Sequence, residues 1–326
     1  MAGQEDTIGV VGLGLMGGSL LRRLSASGAA TAGWDADPAT CAAALAAGLT
    51  VPASLGDLVS GSGTVFVAVP LPRLGEVLDD LSAAGRPGLV VSDLTSVKEP
   101  VRSLAAGRDF AFVGGHPMAG TAESGFAASD ADLLAGCPWV LTLDEETDVD
   151  AWLAVATIVT GLGARVVPVT SFDHDAVVAR VSHLPHLLAA VLVAGVADDP
   201  LARTLAAGSF RDGTRVAATR AELTAAMCSG NADAIDAELA KALNRMDSAR
   251  RLLRRPEKLT EWFAAAQQTR QGWPAATTSG PQRVELKLPA DDDLREQLLA
   301  AGSAGGHVTR VAPGSVFVSL PAPAAS

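Results

Sequence analysis

The chain has 326 residues, 25 of them Lys or Arg and 36 Asp or Glu, a formal net charge of −11. With 48% hydrophobic and 19% charged residues it is globular rather than disordered, and the acidic balance argues against a broad surface for nucleic acid or anionic membrane. The length suits two domains and a small extra piece, and with 4% aromatics and no Tyr the core must be built from Ala, Val and Leu.

Cys41, Cys137 and Cys228 are odd in number and far apart, so neither a disulfide framework nor a metal knuckle is read from them. The acidic N-terminus lacks the basic and apolar regions of a signal peptide. The longest apolar run, Leu187 to Ala197, is too short to span a bilayer. The expectation is a soluble cytoplasmic protein.

The first half alternates short apolar runs with helical patterns. Thr7–Val11, Ala29–Trp34, Thr64–Val69, Leu89–Ser92 and Phe110–Val113 read as buried strands, with helices at Leu15–Ser27, Pro38–Ala47 and Leu71–Ala84. Trp139–Leu143, a helix near Val149–Thr160 and a strand at Arg165–Val169 continue the pattern. Such alternation predicts an α/β, Rossmann-type doubly wound parallel sheet over residues 1–169. Residues 170–273 carry only helical periodicity and predict an all-helical second domain. A Pro/Gly/Ser-rich linker follows at 274–282. Residues 283–326 read as a small α+β tail with a hairpin turning at Pro313 and Gly314.

Gly12, Gly14 and Gly17 form GxGxxG between the first strand and the first helix. Gly12 permits the tight turn, Gly14 lets backbone approach a pyrophosphate, and Gly17 lets helix pack on strand. The diphosphate then meets the unpaired N–H groups and dipole of the helix N-terminus. Asp35 ends the second strand, where a carboxylate accepts ribose hydroxyls and repels a 2′-phosphate. No Arg or Lys lies in Ala36–Pro38, so NAD is favoured over NADP. Leu15 and Met16 at the start of the first helix, Val69 at the end of the third strand with Pro70 after it, and Asp93 after the fourth complete the candidate cofactor contacts.

His116 stands between glycines directly after a strand of the parallel sheet, at the carboxyl edge where ligands bind in this architecture. An imidazole there can take a proton near neutral pH. Asp93–Lys98 follows the fourth strand and brings Ser96, whose hydroxyl can orient His116, and Lys98, a binding cation or a solvated helix start. His183 and His186, three apart, share a helix face that Pro185 kinks, freeing a carbonyl near Val181. No Cys or carboxylate completes a metal set there, so a polar pocket face is read and no metal is called for. His174, between Asp173 and Asp175, reads as a solvated first-turn residue, and His307 carries no signal. Gly208–Arg215 reads as a polar break between helices, either an Arg site for a carboxylate or a surface loop.

Taken in order, GLGLMGGS, DLTSVK, GGHPMAGTAESG, DHDAVVARVSHLPH and GSFRDGTRVA resemble the prephenate/arogenate dehydrogenase family of tyrosine biosynthesis, over about residues 7–250. The resemblance implies a Rossmann domain, a helical domain that dimerises, and NAD(P)-dependent oxidative decarboxylation of prephenate to 4-hydroxyphenylpyruvate or of arogenate to tyrosine. It makes His116 the catalytic histidine on the ring hydroxyl and Ser96 the serine near it and the nicotinamide. His183 lines the substrate pocket, Arg215 grips a substrate carboxylate, and Asp212 belongs to the same loop. His186, Gly120 and Thr121 join them as candidate substrate contacts. The chain departs from the family at Ala122, where an acidic residue is common and Glu123 follows one place later, and at Thr224, where many members carry Trp. The tail resembles a regulatory ACT domain only in outline. A β-hydroxyacid dehydrogenase would share the glycine loop but carry a GxxGxGxxxK helix, which this chain lacks. A non-catalytic NAD sensor would have no need of His116, Ser96, His183 and Arg215 together.

Overall fold

The computed structural model describes residues 7–121, 123–272, 281–288 and 293–321. Ala122 and most of the expected linker lie outside the described residues. By their contacts the described residues divide into two units: those within 7–175, 218–230 and 283–320 in one, and those within 176–217 and 231–272, with 281, 282 and 321, in the other.

In the first unit β1 (Thr7–Val11), α1 (Leu15–Ala26), β2 (Thr31–Trp34), α2 (Pro38–Ala46), α3 (Leu55–Gly61), β3 (Ser62–Val67), α4 (Leu71–Ala84), β4 (Val90–Asp93), α5 (Glu99–Ala105) and β5 (Ala111–Val113) build the expected parallel sheet. Its order is β2-β1-β3-β4-β5, all parallel. The chain therefore reverses its winding between β1 and β3, the switch point where such sheets bind ligands. Helix boundaries follow capping chemistry. Asp37 accepts from the Ala39 and Thr40 amides ahead of α2, and Ser54 accepts from Asp57 ahead of α3. Pro sits in the first turn of α2, α4 and α5, where its missing N–H costs nothing.

The parallel sheet does not simply continue past β5, as the alternation suggested. At Gly114 the chain leaves it for β6 (Gly115–Pro117), which pairs antiparallel with β7 (Pro138–Thr142), followed by α6 (Val149–Gly161) and β8 (Arg165–Val169). The glycines are what allow this departure. A Cβ on Gly115 would stand 2.5 Å from the Asp93 carbonyl, and one on Gly114 would stand 2.6 Å from the Thr142 hydroxyl. The tail extends this second sheet. After β9 (Gln282–Lys287) and α14 (Leu294–Ser303, numbered after the helices of the second unit), β10 (His307–Ala312) pairs antiparallel with β8 and with β11 (Ser315–Leu320). The six strands run β6-β7-β8-β10-β11-β9. The tail thus shares its core with the first unit. Leu294, Leu298, Val308, Val316 and Val318 join Trp139, Trp152, Val155 and Val166 in one cluster. Helix α14 approaches β8 so closely that a Cβ on Gly302 would lie 1.8 Å from the Pro168 carbonyl oxygen. A second cluster, with Leu58, Leu74, Leu78, Leu81 and Val101, packs α3, α4 and α5 on the parallel sheet.

The second unit is helical, as expected: α8 (Leu184–Ala194), α9 (Pro200–Leu205), α10 (Gly208–Thr214), α12 (Ala232–Leu252) and α13 (Pro256–Gln271), while α7 (Ser171–Val178) enters it and α11 (Ala221–Gly230) belongs to the first unit. The kink expected at Pro185 is a π turn over Ala179–His183. Proline cannot donate to the carbonyl four residues back, and widening the preceding turn re-registers the ladder. The run Leu187–Ala197 overlaps a longer helical stretch, Ser171–Ala194, of 24 residues and mean hydropathy 1.7. By length and composition that stretch is long enough to cross a membrane, contrary to the expectation from the run alone. Its first turns, however, carry the buried His174 and Asp175, so that end is seated in protein. The helical unit leaves Val191, Leu192, Leu201, Leu205, Leu243 and Met246 exposed.

Candidate active site

The glycine loop has the geometry its spacing demands. Gly12 adopts φ +88°, and a Cβ there would lie 2.8 Å from the Ala68 carbonyl. A Cβ on Gly17 would stand 1.8 Å from the Gly12 oxygen, so only glycine lets α1 start this close to β1. Gly14 differs: a Cβ there meets nothing within 4 Å, and open space lies against bare backbone. It is the N-cap of α1, with no side-chain cap and no acidic residue in the first turn, so the helix N–H groups are left for another acceptor. Leu15 and Met16, half-buried, form that first turn. Val69 and Pro70 follow β3 beside the loop, the Val69 side chain 2.9 Å from where a Gly12 Cβ would be. The Asp35 carboxylate accepts from the Leu13 amide at 2.6 Å and the Asp37 amide at 2.9 Å, one bond per oxygen. Each oxygen keeps acceptor capacity for a ribose hydroxyl. The loop therefore fits a dinucleotide: anion-seeking N–H groups, a gap where the diphosphate must come close, and a carboxylate at the end of β2.

Asp93 departs from its expected role. Its side chain is fully buried, and its carboxylate accepts from the Thr95 amide at 2.8 Å, the Thr95 hydroxyl, the Gly115 amide at 3.0 Å and Lys98 Nζ at 2.5 Å. It ties the β4 end to β6 and has no face left for a cofactor. Lys98 is neither of the two things expected. It is 1% exposed, and its ammonium also donates to the Gly115 carbonyl at 2.6 Å. Burial pulls its pKa down and the Asp93 charge opposes that shift. The pair holds the chain where it crosses from one sheet to the other.

His116 is 8% exposed and lies in the middle of β6 opposite Val140, rather than in a loop. Its Nδ1 lies 2.9 Å from Nε2 of His174. The expected orienting hydroxyl, Ser96, sits half-buried in the β4–α5 loop, and His174 is the group that meets the His116 Nδ1. His174 is 2% exposed, not solvated, and its Nδ1 lies 2.7 Å from Oδ1 of Asp175. Asp175 in turn accepts the backbone N–H groups of Lys98 at 2.8 Å and Glu99 at 2.9 Å, capping α5. Burial lowers the His174 pKa against the raising influence of the Asp175 bond. Helix α7 is pinned for this purpose: Asp144 accepts from the Ser171 amide at 2.9 Å and hydroxyl at 2.6 Å. His174 and Asp175 are the residues that sequence reasoning missed. The available clue was that α7 opens immediately after a strand of the sheet that carries β6.

Past β6, Gly120 and Thr121 are exposed, and the Thr121 hydroxyl accepts from the Glu123 amide. In the helical unit His183 is fully buried, with Nδ1 3.1 Å from the Asn231 amide nitrogen. His186, Val216 and Arg215 come together. Burial lowers the His186 pKa, a backbone bond at Val216 opposes this, and the Arg215 charge adds to the lowering. The segment expected as a polar break is helix α10, with Arg215 opening a 3-10 turn behind it and Asp212 exposed on the helix.

Known proteins resemble the chain in sequence and in fold. Residues 19–168 match the family described as prephenate dehydrogenase, nucleotide-binding domain, and residues 170–265 match prephenate dehydrogenase, dimerization domain. The chain belongs to the prephenate dehydrogenase family. A prephenate dehydrogenase of Bacillus subtilis is 31% identical over 305 residues, 89% of this chain and 80% of that protein. The structure of Synechocystis arogenate dehydrogenase superposes with TM-score 0.72 at 30% identity, covering 82% of this chain and 99% of that one. That of prephenate dehydrogenase from A. aeolicus, in complex with hydroxyphenyl propionate and NAD+, superposes with TM-score 0.76 at 26% identity, covering 84% and 100%. The chain is an oxidoreductase, and its cofactor is NAD.

Proposed function

We propose that this prephenate dehydrogenase family member oxidatively decarboxylates prephenate to 4-hydroxyphenylpyruvate, with His116 as the base. The observation that carries this reading is the buried imidazole of His116, fixed on β6 just past the carboxyl edge of the parallel sheet and backed by a second imidazole. Gly12, Gly14, Gly17 and Asp35 hold the dinucleotide, which supplies a hydride acceptor when bound. The substrate class is a cyclohexadienol with a carboxylate para to its hydroxyl. As hydride leaves the hydroxyl-bearing carbon, His116 takes the hydroxyl proton and stabilises the nascent carbonyl. Loss of carbon dioxide makes the ring aromatic, so the chain's task is alignment and proton acceptance. Ser96 is assigned a hydroxyl contact near His116. Arg215 of the helical unit is assigned the grip on a substrate carboxylate, and His183, His186 and Asp212 of the same unit, with Gly120 and Thr121 after β6, the remaining substrate contacts. Prephenate is preferred because Arg215, His183 and His186 offer several donors to a keto acid, against the one assigned carboxylate, Asp212, that would answer arogenate's ammonium. Arogenate oxidation to tyrosine is the second reading, favoured by the likeness to the Synechocystis enzyme.

The apolar side chains exposed on the helical unit and its match to a dimerization domain support a homodimer formed through that unit. The cytoplasm, where the nicotinamide pool lies, is its proposed location. Turnover of both substrates with NAD and NADP tests the assignment, and prephenate with NAD is expected to be fastest. His116→Asn is expected to bind NAD normally in a fluorescence titration and lose about 10²–10⁴-fold in kcat. Near-normal kcat in that variant removes His116 from the chemistry.

A further inference from the structure

The hydrogen bonds around His116 decide which of its nitrogens can act. We propose that His174 and Asp175 form a positioning relay that locks His116 in the tautomer with its proton on Nδ1, leaving Nε2 as the base. The inference rests on the reading of His116 as base and adds two residues to it.

Both oxygens of Asp175 accept backbone N–H groups, from Lys98 and Glu99, which can only donate. Both oxygens are therefore engaged as acceptors, one by each amide. An ionised carboxylate only accepts, so the 2.7 Å contact to His174 requires the proton on His174 Nδ1. His174 is buried among Asp175, Lys98, Asp93 and His116, and burial favours its neutral form. A neutral ring protonated on Nδ1 presents a lone pair at Nε2. That lone pair faces His116 Nδ1 at 2.9 Å, and the only arrangement that makes this contact a hydrogen bond has His116 donating. The ring centroids are 5.1 Å apart and the planes 77° from parallel, so the rings meet nitrogen to nitrogen rather than face to face. One carboxylate therefore sets the tautomer of two imidazoles in series. When His116 Nε2 takes the substrate's hydroxyl proton, the cation formed still has its Nδ1 proton on an acceptor backed by negative charge.

The test combines 15N-histidine NMR of the full chain at neutral pH with kinetics of two variants. In the unmodified protein His116 is expected to show a protonated Nδ1 and an unprotonated Nε2. His174→Leu removes the acceptor and is expected to mix the two His116 tautomers. It should lower kcat about 10²-fold with KM and NAD affinity near normal. His174→Gln, whose amide oxygen can accept in place of Nε2, is expected to restore the pattern and most of kcat. The relay is overturned if Nε2 carries the proton in the unmodified protein, if His174→Leu keeps full kcat and one tautomer, or if His174→Gln is no better than His174→Leu. Should neither cyclohexadienyl substrate turn over, the nitrogen pattern still tests the relay, and the failure falls on the reaction assignment alone.

Discussion

The cofactor edge and the buried cluster behind His116 sit on the same unit but are built on opposite plans. The edge is made of absences: no Cβ at Gly12, Gly14 or Gly17, and no side-chain cap on α1. The cluster is made of side chains filled to capacity, with Asp93, Lys98, His174 and Asp175 each below 5% exposure and hydrogen-bonded. The first kind of site needs only a few consecutive residues, because its constraint is on backbone shape. The second requires groups from β4, α5, β6 and α7 to arrive together, because a buried charge is tolerable only with its partner in place.

The largest test of this contrast is Lys98→Met. It leaves the Asp93 carboxylate buried without its cation, where the paired side chains are both fully buried. A loss of about 3–5 kcal/mol is expected in chemical denaturation, and the crossing from β5 to β6 should loosen with it. A loss below about 1 kcal/mol would mean that water reaches the pair, and that the cluster is not the sealed element described above.

The cofactor edge should behave otherwise, because two of its glycines serve different masters. Gly17→Val drives a side chain into the Gly12 carbonyl and is expected to lower both Tm and NAD affinity. In Gly14→Val the added Cβ meets no heavy atom within 4 Å, so Tm should hold while NAD affinity falls about 100-fold, on the order of 2.7 kcal/mol. Thermal melts with and without NAD separate the two. Equal Tm losses in both variants would show that Gly14, too, is a packing glycine, and would weaken the diphosphate assignment.

The same contrast explains what could be read in advance. Thr7–Val11, Arg165–Val169 and Leu71–Ala84 have the bounds that their apolar patterns predict, since burial of one face is a local signal. Helices α3 and α5 escaped because seven residues hold no full amphipathic period pair. Strand β6 escaped because three residues beside two glycines show no alternation. The tail's strands were legible, but not that β10 would pair with β8, a partner more than a hundred residues earlier. His116 was legible as chemistry from its glycine setting. Its partner was not: Asp173 and Asp175 around His174 have the composition of a solvated first turn, and only the 58-residue separation closing in space makes them a buried relay.

The smallest effect expected is also the most specific to the cluster. His174 titrates below its ordinary value because burial disfavours the imidazolium. Between that lowered value and the unfolded one, near 6.5, the unfolded chain binds more protons than the folded one. Stability then rises with pH across that window, is fully present above it, and is lost as pH falls through it. The contribution of one group cannot exceed about 1.4 kcal/mol per pH unit. Burial also lowers His186 and His307, so the wild-type slope is a sum, and the difference against His174→Gln isolates one member. Urea denaturation from pH 7 downward is expected to show a shallower acid-side slope in the variant, by up to one proton's worth. Identical slopes would mean that His174 takes up its proton as readily in the folded chain as in the unfolded one. The cluster would then be open to water like the cofactor edge, and the contrast between the two regions would lose its physical basis.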